Sequence, residues 1–165
     1  LFDFDDTLFN TTPTKSLRSV KTKDWESIYE QIPNCKLYDG FNDVFDFIRA
    51  HNINVGIVSI AQKELINRTV KHFNCPCHHI QGWWRQPMKP YPHQINKALE
   101  KLNADAKDVI MFGDSPDDVA ACRAAGIKIV GCTWGLHSQE AKNALINSSP
   151  DYIIDSPIDI IKILK

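Results

Sequence analysis

The sequence predicts an α/β fold, a mainly parallel sheet covered by helices, and three observations carry that expectation. From Ile53 onward, short β-branched runs alternate with amphipathic helical stretches. Proline opens several of those stretches, where a missing N–H costs nothing, and Gly126 closes one of them. Acidic, hydroxyl and lysine groups recur just after apolar runs, where an open parallel sheet places its ligands.

Taken in order, residues 1–5 read as the end of a buried strand, expected to begin upstream of Leu1. Residues 41–50 read as the helix leading from it to a second strand at 54–59. Helices are then expected at 63–73, 92–102, 116–125, 138–147 and 157–164, and strands at 79–81, 109–112, 127–131 and 152–154. Residues 7–40 are left over, with one helical stretch at 23–31 whose apolar stripe is Trp25, Ile28, Tyr29 and Ile32.

A chain of 165 residues is expected to form one domain, 1–165, with a sizeable core. Its 43% apolar and 24% charged residues are ordinary globular composition. A net charge of −1 supplies no global field for nucleic acid or acidic membranes, so nucleic acid is disfavoured, though left open, and an anionic substrate must be attracted locally. Five cysteines without a framework spacing fit a reducing, cytoplasmic setting. Neither a membrane-length apolar run nor a signal peptide is visible, so the N-x-S/T triplets at Asn10, Asn67 and Asn147 read as chance matches.

Four groups carry chemistry: Asp3-Phe4-Asp5-Asp6-Thr7, Ser59, Lys89, and Gly113-Asp114-Ser115-Pro116-Asp117-Asp118. Alternation along a strand lets Asp3 and Asp5 point towards one site, and Asp114 adds a third carboxylate. Such charges repel, and a divalent cation is the natural remedy. Oxygen-only ligands favour magnesium over zinc. Ser59 and Lys89 are then placed to hold phosphoryl oxygens, as a hydroxyl donor and a fixed positive charge.

The set resembles the haloacid dehalogenase (HAD) superfamily of phosphatases, whose motifs are D-x-D-x-T/V, a strand-end Ser/Thr, a Lys and G-D-x-x-x-D, in this order. Residues 113–126 (GDSPDDVAACRAAG) and Thr133-Trp134-Gly135 also look like the phosphoglycolate phosphatase branch. The resemblance implies a three-layer α/β/α Rossmann-like core and a Mg2+-dependent phosphomonoester hydrolase. Asp3 would attack phosphorus and become an aspartyl-phosphate. Asp5 would protonate the leaving group and later activate water, while its backbone carbonyl joins Asp3 and Asp114 on the metal. Asp118 would support the metal directly or through water. Asp6, where many relatives have Gly, and Asp117 receive no catalytic role. The interval from Asp3 to Ser59 leaves room only for a minimal cap at about 7–40, so an open site is expected, admitting a small or macromolecular phosphorylated substrate.

Other readings stand beside these. The strand-end acids could be solvated, and Asp114 with Ser115 could be a helix cap. Cys75, Cys77, His78 and His79, with His72, could form a zinc cluster, although C-x-C is tight for one. Trp83-Trp84-Arg85 could flank the substrate, but a packed aromatic pair is the commoner use. Lys15, Arg18, Lys21 and Lys23 could hold a polyanion, but a solvated loop offset by Asp24, Glu26 and Glu30 is the simpler expectation. The competing functions are a non-catalytic phosphate-binding or interaction module and a phosphotransferase or phosphomutase. Retention of Asp3 argues against the module, and the small insert against the mutase.

Overall fold

The computed structural model describes residues 1–83 and 87–165. Strands β1 (Phe9–Asn10) and β2 (Lys36–Leu37) form a small antiparallel ribbon. The remaining strands are β3 (Gly56–Gln62), β4 (His79–Trp83), β5 (Ile110–Gly113), β6 (Lys128–Cys132) and β7 (Tyr152–Ile154). The helices are α1 (Thr12–Arg18), α2 (Trp25–Glu30), α3 (Phe41–Ala50), α4 (Lys63–His72), α5 (His93–Leu102), α6 (Pro116–Ala125), α7 (Gln139–Asn147) and α8 (Ile160–Leu164).

Residues 1–3 lie between β3 and β5, bridged in parallel at Phe2 to Ile57 on one side and Phe112 on the other. Phe2 N–H donates to the Gly56 carbonyl and Asp3 N–H to that of Phe112, at 2.9 and 2.8 Å. The main sheet therefore runs β4, β3, residues 1–3, β5, β6, β7, and every pairing in it is parallel. Successive connections leave the first strand in opposite directions. That reversal opens a crevice at its carboxyl end, beyond Asp3.

Period-two alternation sorts the side chains of this sheet into two layers. Phe2, Ile57, Phe112 and Val130 pack with Phe41, Val44, Phe45 and Ile48 of α3 and Ile160 of α8. Leu1, Val58, Met111 and Ile129 face the other way, against Ile95 and Ala98 of α5, Val119 and Cys122 of α6, and Leu145 of α7. Helices thus cover both faces, and the chain has the expected three-layer Rossmann-like architecture.

Two strands extend beyond their expected ends by two residues or more. β3 continues past Ser59 to Gln62, and β4 reaches Trp83, because the pairing shifts register between Val58↔Gln81 and Gln62↔Trp83. The extra residues of β3 bulge, and Ser59 sits at the start of that bulge, its Oγ accepting from Ala61 N–H at 3.1 Å. Helix α1 has no counterpart among the expected elements. The expected helix at 23–31 is the shorter α2, started by Asp24, whose carboxylate accepts from the N–H groups of Glu26 and Ser27.

Candidate active site

Asp3 is carried to the crevice by the innermost strand, and its buried carboxylate meets three neighbours there. The carboxylate oxygens of Asp3, Asp114 and Asp118 lie within 4.8 Å of one another. Lys89 Nζ donates to Asp3 Oδ1 at 2.7 Å and to Asp118 Oδ1 at 2.5 Å. Asp118 is held in turn by the start of α6, where its Oδ2 accepts from Ser115 N–H at 3.1 Å and Ser115 Oγ–H at 2.6 Å. Ser115 Oγ accepts from Asp118 N–H, completing a capping box. Asp118 is therefore both a helix cap and a member of the acidic cluster.

The charges do not balance, with three carboxylates against one ammonium. Burial, and then the nearby Asp118 charge, push the Asp3 carboxyl up to about 7, although Lys89 pulls the other way. Burial and the Asp3 charge push Asp114 up to about 8. Lys89, buried between acids, is held above its ordinary value by Asp118 and Asp3 despite its desolvation. Such a cluster asks for additional positive charge. Its donors are all carboxylate oxygens, which suit a hard cation such as magnesium.

Asp5 lines the same pocket but points to different partners. Arg18 of α1 forks its carboxylate, with Nη2 2.7 Å from Oδ1 and Nη1 3.1 Å from Oδ2. Thr11 Oγ1 also donates to Oδ1. Burial would raise the Asp5 carboxyl, but the guanidinium and the hydroxyl outweigh it and hold the group below its ordinary value. Its side chain is not part of the three-carboxylate cluster.

Lys15, also on α1, pairs with Asp6. Two of the four cations expected in a solvated loop are thus drawn onto acids at the crevice, because α1 packs across its mouth. Lys21 and Lys23 remain exposed, as expected. Asp6 has φ 59°, in the left-handed region where Gly is comfortable and Asp is tolerated.

Ser59 and Lys89 are brought together by a residue that motif reasoning missed. Gln94, fully buried on α5, donates from Nε2 to the Ser59 carbonyl at 2.8 Å and accepts from Lys89 N–H at 3.4 Å. Thr7 Oγ1 donates to Asp114 Oδ1 at 2.8 Å, and Trp134 Nε1 donates to the Thr7 carbonyl at 2.9 Å. Arg18, Thr11 and Gln94 left no motif signal. The one hint was the basic spacing of 15–23.

The Cys/His cluster, the disfavoured alternative, does not converge among the described residues. Burial pushes the Cys77 thiol up to about 11, its Sγ donates to the His79 carbonyl, and His78 Nδ1 accepts from Val55 N–H. Among the described residues, Asp3, Asp114 and Asp118 are the one group with metal-ligand convergence. Trp84 and Arg85 lie outside the described residues, while Trp83 ends β4.

The haloacid dehalogenase-like hydrolase family matches residues 14–132, well over half of the chain. The chain belongs to that family. Pyrophosphatase PpaX of Oceanobacillus iheyensis is 25% identical over 167 residues, covering 96% of this chain and 74% of that protein. Pyrophosphatase PpaX of Bacillus mycoides is 35% identical over 78 residues, but the match spans only 47% of this chain and 35% of that protein. Among solved structures, a predicted phosphoglycolate phosphatase from Haemophilus somnus superposes with a TM-score of 0.78 at 19% identity, over 99% of this chain and 96% of that one. That likeness establishes the shared fold. The family match begins after Asp3 and Asp5.

Proposed function

We propose that the chain is a magnesium-dependent phosphomonoester hydrolase working through an aspartyl-phosphate on Asp3. The observation that carries this reading is the convergence at one crevice of a buried carboxylate cluster and a second, separately held carboxylate, with Ser59 and Lys89 lining the same pocket. Asp3 sits in a buried cluster with Lys89, Asp114 and Asp118, and Asp5 beside it is steered by Arg18.

Lys89 fixes Asp3 Oδ1 and leaves Oδ2 to attack phosphorus. As that bond forms, the ester P–O bond breaks, and the departing oxygen takes a proton from Asp5, whose carboxyl must carry one in the substrate complex although Arg18 lowers it in the free chain. Water then attacks the phosphoryl group, Asp5 takes its proton, and Asp3 is released with inorganic phosphate. Lys89 Nζ and Ser59 Oγ hold the equatorial oxygens while charge develops there. Magnesium would be held by Asp3, Asp114, Asp118 and the Asp5 carbonyl, and when bound it supplies charge neutralisation between phosphate and carboxylate. Residues 7–40 act as a minimal cap whose α1 adjusts Asp5. All five cysteines are free thiols, in keeping with a reducing compartment such as the cytoplasm.

The test is phosphate release across sugar phosphates, nucleotides, phosphopeptides and pyrophosphate, the last because the named relatives are pyrophosphatases. Magnesium-dependent release that Asp3→Asn abolishes is the expected result. Release that survives Asp3→Asn, or none on any substrate, would overturn the reading.

A further inference from the structure

Two cavities meet at Asp5. The first, about 250 Å³, is the catalytic pocket, lined by Asp3, Asp5, Ser59 and Lys89 among others. The second, about 310 Å³, is lined by Asp5, Arg18, Lys23, Trp25, Gln62 and Trp83, and shares Ile60 with the first. The reaction steps leave this second cleft unused. Its position is informative, because a group that protonates the leaving oxygen must have the leaving group on its own side.

The lining is apolar to a degree that surface position does not explain. Ile60 is 55% exposed and Trp83 45% exposed, and both border a cleft that opens onto the half-buried Asp5 carboxylate. Single exposed apolar residues need no account, but an apolar lining beside convergent polar groups is the make-up of a ligand site. Trp25 is already fixed in place. Its ring stacks on Tyr29 with centroids 6.0 Å apart, Arg68 lies 4.0 Å over the Tyr29 ring, and Tyr29 Oη donates to Gln62 Oε1 at 2.8 Å. Beneath them Ile28 of α2 is buried against Leu65 of α4. A wall held this way loses little freedom when a ligand arrives.

The polar atoms of the cleft narrow the ligand further. Arg18 is engaged by Asp5, and Gln62 Oε1 is taken by Tyr29, so Gln62 presents its amide nitrogen. The exposed Lys23 ammonium offers further donors. Two indoles and a set of donors suit a flat ring that carries acceptors on its edge. A sugar, with hydroxyls all round, would find few partners here.

We infer that this cleft is the leaving-group subsite for a heteroaromatic ring of nucleobase type, which makes a nucleoside monophosphate the fitting substrate class. The inference rests on the phosphatase reading only in placing the leaving group on the Asp5 side. Its binding content can be measured without turnover.

The experiment has two arms. In the first, calorimetric titration of the Asp3→Asn protein with uridine and adenosine 5′-monophosphate, glycerol phosphate and phosphotyrosine measures affinity alone. A nucleotide should bind best, and Trp83→Ala or Trp25→Ala in that background should weaken it about tenfold, the order expected for losing one base-stacking partner. Trp83→Ala serves if Trp25→Ala disturbs α2, with circular dichroism as the check. In the second arm, the ratio of kcat/KM for nucleotide over glycerol phosphate should fall about tenfold in the same tryptophan variants of the active protein. Nucleotide binding that ignores both tryptophans, or phosphotyrosine binding as tightly as nucleotide, would overturn the inference. Tryptophan-dependent binding with no turnover of any phosphate would uphold the cleft and overturn the phosphatase reading instead.

Discussion

At the scale of single residues, the site separates its groups by what surrounds each carboxylate. Lys89 is the sole ammonium inside the acidic cluster among the described residues, so Lys89→Ala leaves Asp3 and Asp118 buried without it. Turnover should fall by about 10²–10³-fold, the usual cost of losing a preorganised charge-stabilising group. Stability should fall as well, by about 3–5 kcal/mol in the absence of metal, because breaking a buried pair strands the remaining charge. Lys15→Ala removes only a partly exposed pair with Asp6, and steady-state kinetics with urea unfolding should show a change within about 1 kcal/mol in both measures. Equal losses in the two variants would remove Lys89 from the phosphoryl site. Arg18 acts differently, by holding Asp5 ionised. Arg18→Ala should raise the Asp5 carboxyl, so the basic limb of kcat/KM, where the acid that protonates the leaving group loses its proton, should move to higher pH. Arg18→Lys should restore part of the shift. A pH–rate profile that does not move in either variant would show that Arg18 does not tune Asp5.

At the scale of elements, the core helices and strands were legible because their periodicities are strong and their caps conventional. Residues 116–125, opened by Pro116 and closed by Gly126, are observed as α6 with the same bounds. The strand at 54–59 was harder to end, since its bulge depends on register with β4, a contact distant in sequence. Helix α1 was not legible at all. It is a short segment whose Thr11 makes no side-chain cap, and its purpose, delivering Lys15 and Arg18 to the crevice, is tertiary. The four strand-end motifs were readable from spacing, but the groups that steer them, Arg18, Thr11 and Gln94, were not. Close approaches between loops give a test at this scale. A Cβ on Gly135 would meet the Asp6 carbonyl at 2.0 Å, so Gly135→Ala must displace the turn after Asp5. Thermal unfolding should show a loss of about 1–3 kcal/mol, typical of overpacking, together with reduced turnover. A variant as stable and active as the parent would mean that this turn has slack.

At the scale of the whole molecule, the cluster makes stability depend on pH and on metal. In the folded chain Asp3 and Asp114 keep their protons up to about 7 and about 8, whereas the unfolded chain releases them in the ordinary carboxylate range. Between those limits the folded state binds more protons, so this contribution to stability falls as pH rises. Magnesium should reverse the trend by binding only the folded, deprotonated cluster, with a gain of about 2.7 kcal/mol at a hundredfold excess over its dissociation constant. Melts at pH 6 and pH 8, with chelator and with magnesium, check this. Superimposable curves would show that the cluster holds no metal. The claim beneath all of these is the division of labour between Asp3 and Asp5, and rapid-quench kinetics of Asp5→Asn tests it most directly. With an aryl phosphate whose phenol leaves unaided, Asp3 should still be phosphorylated, but no base remains to activate water. The predicted result is a burst of phenol of up to one equivalent per enzyme followed by a sharp slowing, with phosphate mass on the peptide that contains Asp3. Wild-type steady turnover by Asp5→Asn, or phosphate carried on Asp114, would contradict the account.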